Sequence, residues 1–174
     1  MINIEFENDF ISESVLEILK QIDFLIITNE NNSFATIKIV QKKDVILLLL
    51  DDKKIRFKLP IEFQVLFQNI QNLLTNVVVA KESFNYFPFQ SLIIKNNKKL
   101  LLTELQNKLF SSLLLNKQGI GKEDLYKLIW PNDRNLSFNK IETHMTNLKN
   151  YLKSELDLFI KIQSNNKLIN LIIN

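Results

Sequence analysis

Two patterns are combined in one segment of this chain: Ile141-Glu142-Thr143-His144-Met145-Thr146-Asn147-Leu148-Lys149-Asn150-Tyr151-Leu152. Its apolar residues recur at steps of 4, 3 and 4, which places them on one stripe of a helix with 3.6 residues per turn. The opposite face carries amides, hydroxyls and cations, the groups that contact base edges and phosphates in nucleic acids. The segment therefore predicts an amphipathic helix with a buried stripe and a polar face suited to nucleic acid.

The composition narrows the classes of protein to which the chain can belong. Its 174 residues suffice for one or two domains with a buried core, and the absence of cysteine excludes disulfides and thiolate metal sites. The N-terminus lacks the basic and apolar regions of a signal peptide, and the apolar run at residues 45–50 is too short to span a bilayer. We therefore expect a cytoplasmic protein with no membrane partner.

Charge is divided unevenly along the chain. Residues 1–80 contain 8 Lys or Arg and 11 Asp or Glu, a net charge of −3, whereas residues 81–174 contain 14 and 8, a net charge of +6. A basic half beside an acidic half is typical of a nucleic-acid-binding module joined to a regulatory module. Ordinary variation in surface charge would give the same numbers, so charge alone does not decide between the two.

The first half of the chain alternates between strand and helix patterns. Strands are predicted at residues 2–6, 23–28, 33–40, 45–50 and 55–59, and helices at residues 10–22 and 61–75. The run at 45–50 is apolar throughout and ends at Asp51-Asp52, which predicts a buried central strand. The alternation predicts a small α/β unit over residues 1–76.

The pattern changes after residue 76. Residues 77–102 read as a β meander with an Asn96-Asn97 turn, and Thr103 with Gln106 forms a capping box at the start of a helix. A second helix follows at residues 123–130, then a polar loop at 131–136 and a third helix at 139–155. A hairpin at residues 159–173 ends the domain. Ser137 is the N-cap candidate of the last helix. Strands, three helices and a closing hairpin predict a winged helix-turn-helix domain over residues 77–174.

Three motifs in this second half stand in a familiar order: Leu102-Thr103-Glu104, then Gly121-Lys122-Glu123-Asp124-Leu125 leading to Ile129-Trp130, then Ile141-Glu142-Thr143-His144-Met145 with Leu148-Lys149. Their order and spacing resemble the effector domain of OmpR/PhoB-type response regulators, and the resemblance covers residues 77–174. It implies a sequence-specific, DNA-binding transcription regulator of a two-component phosphorelay. Double-stranded DNA and RNA polymerase are the partners that it implies.

The first half resembles the same family only in part. Lys58-Leu59-Pro60 before an apolar helix is similar to the step that opens the last receiver helix. Five βα units need well over 100 residues at roughly 30 per unit, and Glu5, Glu7 and Asp9 match the family's acidic cluster poorly. We therefore expect residues 1–76 to be a shortened, degenerate receiver-like (flavodoxin-like) regulatory and dimerisation domain that is not phosphorylated. A working receiver with deletions is the alternative.

The resemblance also assigns roles to single residues. The residues aligned with base-facing positions are Lys140, Glu142, Thr143 and Asn147, and those aligned with phosphate contacts are Asn139, His144, Thr146, Lys149 and Lys153. Wing contacts are expected from Gln163, Asn165 and Lys167. Asn147 stands where the family often has arginine, and asparagine pairs with adenine, so an A·T-rich site is expected. For His144, an ordinary surface histidine is the alternative.

Catalysis finds little support in the sequence. His144 is the single histidine and cysteine is absent, so no Cys/His pair exists, and neither a GxGxxG nor a P-loop pattern occurs. Asp51 and Asp52 could hold Mg²⁺ with Glu5 or Glu7, but a solvated pair at a strand end is the simpler interpretation. We expect no enzyme, no cofactor and no metal site, and we expect Trp130 to be a core residue.

The helix predicted at residues 61–75 is apolar on more than one side. Such a helix is either central to a core or covered by a partner. The resemblance implies a dimer, so we expect a phosphorylation-independent homodimer with Phe63, Phe67 and Ile70 at its interface. A helix that fills the core of a monomer is the alternative. For the whole chain, the alternative function is a winged-helix protein-interaction adaptor that has lost DNA binding.

Overall fold

A computed structural model of the protein divides the chain into two units, Met1–Val78 and Val79–Asn174. The sequence pattern predicts the boundary between residues 76 and 77. The structure describes residues 1–7, 15–17, 19, 33–133, 135–165 and 168–173. The strand predicted at 23–28 lies outside the described residues, as does most of the helix predicted at 10–22. The described residues of that helix, 15–17 and 19, are helical, and Val15 and Leu19 are buried.

The first unit contains a four-stranded sheet in the order β1-β2-β3-β4. Its strands are β1 (Asn3–Phe6), β2 (Thr36–Lys42), β3 (Val45–Leu50) and β4 (Lys53–Lys58). Strands β1 and β2 are parallel, whereas β2–β3 and β3–β4 are antiparallel. Strand β3 is therefore central and mostly buried, as predicted.

The strands predicted at residues 33–40, 45–50 and 55–59 correspond to β2, β3 and β4, but they are antiparallel rather than parallel as in a flavodoxin-like unit. Two-residue turns at Lys43-Asp44 and Asp51-Asp52 join them, since Lys42 pairs with Val45 and Leu50 with Lys53. Turns this short join neighbouring antiparallel strands and leave no room for a crossover helix. A flavodoxin-like sheet is parallel, so this part of the unit departs from the predicted receiver-like architecture.

Helix α1 (Phe63–Thr75) follows the sheet and buries one face: Leu66, Ile70, Leu73 and Leu74. It begins at Phe63, with Glu62 at the N-cap, rather than directly after Pro60 as predicted. The side chains of Phe63 and Val65 are exposed, while the Phe63 and Phe67 rings stack with centroids 6.1 Å apart. Ile70 is fully buried. The expectation that Ile70 lies at a dimer interface is therefore wrong, because this side chain is already buried in the single chain.

The second unit begins with the predicted antiparallel meander. Its strands are β5 (Val79–Lys81), β6 (Phe84–Phe87), β7 (Leu92–Lys95) and β8 (Lys98–Leu101), paired in chain order. The turn between β7 and β8 is Asn96-Asn97, with φ angles of 49° and 64°. Asparagine tolerates positive φ better than most residues, and two-residue hairpin turns of this type require it at both positions.

Three helices and a second sheet complete the unit: α2 (Glu104–Leu115), α3 (Lys122–Ile129), α4 (Phe138–Leu156), β9 (Ile120–Gly121), β10 (Ile160–Asn165) and β11 (Leu168–Ile173). Strand β11 pairs with both β10 and β9. The predicted capping box is present, because Thr103 and Gln106 bond reciprocally at the start of α2. This arrangement is the winged helix-turn-helix that the sequence predicted, with the short strand β9 as an addition.

A buried polar network joins the meander to α2. The Tyr86 hydroxyl bonds to the side chains of Asn107 and Ser111, and the Asn107 amide donates to the carbonyl oxygen of Pro88 over 3.0 Å. The Phe110 ring packs edge-on against Tyr86 at 4.9 Å between centroids. Burial raises the pKa of Tyr86, so the hydroxyl stays protonated. Each member has a bonding partner, which fixes the meander on the helix that supports α3 and α4.

Candidate nucleic-acid interface

Helix α4 separates apolar and polar residues as the sequence predicted. Its buried residues form one stripe: Ile141, Met145, Leu148, Leu152 and Leu156. This stripe packs towards α2, α3 and the hairpin, because α4 contacts each of those elements. Full burial of one such aliphatic side chain stabilises the fold by roughly 1.5–3 kcal/mol. The stripe thus fixes which face of α4 points away from the core.

The two ends of α4 are stabilised by different contacts. Ser137 occupies the N-cap position, but its side chain makes no capping hydrogen bond, contrary to the expectation. At the other end Asp157 adopts a left-handed conformation, and the amides of Asp157 and Leu158 donate to the carbonyls of Lys153 and Leu152. The Lys95 ammonium also donates to the carbonyl oxygen of Asp157 over 2.6 Å. The meander therefore anchors the C-terminal end of α4.

The exposed face of α4 forms a shallow depression in its N-terminal half. We call it the reading surface, and its residues are Asn139, Glu142, Thr143, Thr146 and Asn147. All five are exposed. The Thr143 hydroxyl donates to the backbone carbonyl of Asn139 over 2.9 Å, whereas the Asn147 amide has no bonding partner among the described residues. The structure thus brings together three of the four expected base-facing residues, with two of the expected phosphate contacts beside them.

One residue of the reading surface is paired with another helix. The carboxylate of Glu142 accepts from the Lys122 ammonium, with 2.7 Å between Oε1 and Nζ. Lys122 is the first residue of α3, so the ion pair spans the two helices. Exposed pairs of this kind contribute about 0–1 kcal/mol to stability. Its main consequence is electrostatic, because the cation offsets the negative charge on the reading surface.

Lys140, the fourth expected base contact, lies elsewhere. Its Nζ atom is 3.1 Å from Oδ2 of Asp133 and 4.3 Å from the centre of the Trp130 ring. An ammonium over an indole face is attracted by about 0.5–2 kcal/mol, depending on exposure. Both contacts turn this side chain back towards the loop before α4, away from the direction that a base contact requires.

Asp133 organises that loop. Its Oδ2 accepts from the Tyr126 hydroxyl over 2.6 Å, and its Oδ1 accepts from the backbone amide of Asn135 over 3.1 Å. These bonds, first that from Tyr126 and then those from Asn135 and Lys140, lower the pKa of Asp133 to about 2. The same bond from Tyr126 to the carboxylate raises the pKa of Tyr126. The carboxylate thus stays ionised and holds α3, the loop and the first turn of α4 together.

The remaining expected phosphate contacts divide into two groups. His144 is half-buried and packs against Trp130 with ring centroids 5.5 Å apart. It therefore contributes to the packing of α4 against the end of α3. Trp130 is itself half-buried rather than fully in the core. Lys149 is exposed, and Lys153 is exposed with its ammonium 5.3 Å from the centre of the Phe159 ring. These two lysines are free to approach phosphates.

The predicted wing is the β10–β11 hairpin. Gln163 is half-buried on β10 and pairs with Asn170 of β11. Asn165 ends β10, but its side chain lies outside the described residues, as does the whole of Lys167. The side chain of Leu168, at the start of β11, is exposed. The structure therefore places the hairpin, while the expected contacts of Asn165 and Lys167 stay predictions.

Comparison with known proteins gives weak likenesses only. No protein-family model matches the sequence, and no curated protein matches it. Similar solved structures include the DNA-binding domain of E. coli CadC, at 17% identity over 56% of this chain and 92% of that chain, with a TM-score of 0.47. The C-terminal domain of NsrR, a lantibiotic response regulator, has 22% identity over 55% and 89%, with a TM-score of 0.37. A RitR mutant has 12% identity over 99% and 65%, with a TM-score of 0.42.

Asp51 and Asp52 are exposed in the β3–β4 turn, and within the described ranges no three His, Asp or Glu side chains converge as ligands for a metal ion. None of the described helices is both long enough and apolar enough to cross a membrane.

Proposed function

We propose that the chain is a sequence-specific DNA-binding transcription regulator that inserts α4 into the major groove of duplex DNA. The observation that carries the proposal is the reading surface, a depression of exposed amide, hydroxyl and carboxylate groups on a helix whose opposite stripe is buried. The major groove of B-DNA admits one α-helix. The reading surface also occupies the N-terminal half of α4, the part of a recognition helix that contacts base edges.

Two side chains have the chemistry to read A·T base pairs. The Asn147 amide can donate to N7 and accept from N6 of adenine as a bidentate pair. Thr143 donates its hydroxyl hydrogen to its own helix, and its methyl group can contact the methyl group of thymine. No arginine occurs in α4, and arginine is the usual partner of guanine. These features support a site rich in A·T pairs.

Phosphate contacts would supply most of the affinity. The exposed cations of α4 are Lys149 and Lys153, and the surrounding residues 81–174 carry the net charge of +6. Neutralisation of phosphates releases counterions, so binding should weaken steeply with salt, with a log–log slope of about −0.9 per contact. Asn139 and Thr146 also belong to the reading surface, and their side chains can donate to phosphate oxygens.

We also propose that the chain acts as a homodimer without phosphorylation. The support is the Phe63–Phe67 pair on α1, because the Phe63 ring is 44% exposed in a single chain. Two copies would present two α4 helices to half-sites about one helical turn apart. Phosphorylation has no support from Asp51 and Asp52, because both are exposed in the hairpin turn between β3 and β4.

The proposal is tested by selecting binding sites from random duplex DNA and then titrating the selected site at several salt concentrations. The expected result is a motif rich in A·T pairs, with affinity that falls linearly with salt on logarithmic axes. Absence of binding even at low salt would contradict the proposal and favour a protein-interaction adaptor.

A further inference from the structure

A single carboxylate lies among the neutral polar groups of the reading surface. Glu142 shares the depression with two asparagines and two threonines. A carboxylate on a surface that meets DNA costs free energy, because it approaches the phosphates with the same sign of charge. The Glu142 carboxylate must therefore be offset by a cation or by a favourable contact with the DNA.

Lys122 supplies the cation without covering the carboxylate. It binds Oε1 at 2.7 Å from the side of α3, yet the Glu142 side chain remains 54% exposed. None of the described residues bonds to Oε2. The carboxylate is thus held in place, partly neutralised, and has an oxygen able to accept one more hydrogen bond.

The base that fits such a group is cytosine. A carboxylate only accepts hydrogen bonds, and in the major groove the amino group of cytosine donates with no acceptor beside it on the same base. Adenine also donates from N6, but its N7 acceptor lies next to that group and repels a carboxylate. Guanine and thymine present acceptors at the same edge. Resting on the proposed function, we infer that Glu142 selects a cytosine at one position of an otherwise A·T-rich site.

Site selection with Glu142→Gln tests the inference, and Glu155→Gln is the matched control. Glu155 is exposed near the C-terminal end of the same helix, so its variant removes the same charge outside the reading surface. With the unmodified protein, replacing the cytosine should weaken binding by about five- to a hundredfold. Glutamine both donates and accepts, so Glu142→Gln should move the preference at that position alone towards adenine. Glu155→Gln should leave the motif unchanged.

The possible failures are distinct. A selection that recovers no motif with the unmodified protein contradicts the proposed function, and this inference with it. A motif without a selected cytosine, or one that Glu142→Gln leaves unchanged, contradicts this inference alone. Equal effects of Glu142→Gln and Glu155→Gln on all sequences would also contradict it, since Glu142 would then act only through net charge. Circular dichroism of both variants confirms that the helices are retained.

Discussion

The ammonium of Lys140 lies 3.1 Å from the carboxylate of Asp133, across the loop that precedes the proposed recognition helix. The same ammonium packs over Trp130, and the same carboxylate accepts from the Tyr126 hydroxyl. These contacts connect the C-terminal part of α3 with the first turn of α4. The direction in which α4 leaves the loop therefore depends on one ionised aspartate.

Asp133→Asn should make the thermal stability of the protein less dependent on pH. The folded-state pKa of Asp133 is about 2, below its ordinary value of 3.8. Its ionised form therefore stabilises the fold above pH 3.8, and this contribution is lost as the pH falls from 3.8 towards 2. Thermal melts should show that the variant has a lower Tm than the unmodified protein at neutral pH and that the difference shrinks near pH 2. A difference that stays constant with pH would contradict the role of the carboxylate. Glu155→Gln is the control, because Glu155 is exposed and forms no ion pair with the described residues.

Gly119→Ala should destabilise the second unit by about 2 kcal/mol. Gly119 has a φ of +96°, and a Cβ atom there would lie 2.2 Å from Oδ1 of Asn170 on β11. Gly121→Ala is the matched control, because its Cβ would meet only the flexible carboxylate of Asp124. Urea unfolding of the two variants measures the difference. Equal destabilisation by both would show that the close approach of Gly119 to β11 has no special importance.

Phe63→Glu should convert the proposed dimer into a monomer while leaving the fold intact. The Phe63 ring is exposed in the single chain, so a charge there costs little until two copies meet. Val65→Glu is the control, since Val65 is equally exposed but lies two residues away, on another side of α1. Sedimentation equilibrium should give a dimer for the unmodified protein and for Val65→Glu, and a monomer for Phe63→Glu. A monomeric unmodified protein at micromolar concentrations would contradict the proposed dimer.

Much of the second unit could be predicted from the sequence because its signals are local. The stripe at Ile141, Met145 and Leu148 follows from helical spacing, and the Thr103–Gln106 capping box lies within one turn. The Asn96-Asn97 turn carries the residues that its conformation requires. Each of these patterns is contained within a few residues, so a single sequence reveals it.

The features that the sequence does not predict depend on contacts between distant elements, or on turns that lack the usual turn residues. Lys43 has a φ of 52° at the β2–β3 turn. The sequence has neither glycine nor asparagine there, so it predicts the two strands but not the tight turn that makes them antiparallel. The pairing of Glu142 with Lys122 depends on how α3 and α4 cross. The helix α1 is apolar on several sides, so the sequence alone does not show that Ile70 is buried whereas Phe63 is exposed.

Anisotropy titrations of Asn147→Ala and Lys149→Ala show whether the exposed face of α4 reads DNA. Asn147 lies in the reading surface, whereas Lys149 is an exposed cation two residues further along. Each variant is titrated with the selected site and with random duplex DNA. Asn147→Ala should lose ~1–3 kcal/mol of binding free energy on the selected site alone, and its base preference should relax at one position. Lys149→Ala should weaken both duplexes equally and reduce the salt slope by about 1. If both variants weakened the selected and random duplexes to the same extent, α4 would not read the sequence through this face.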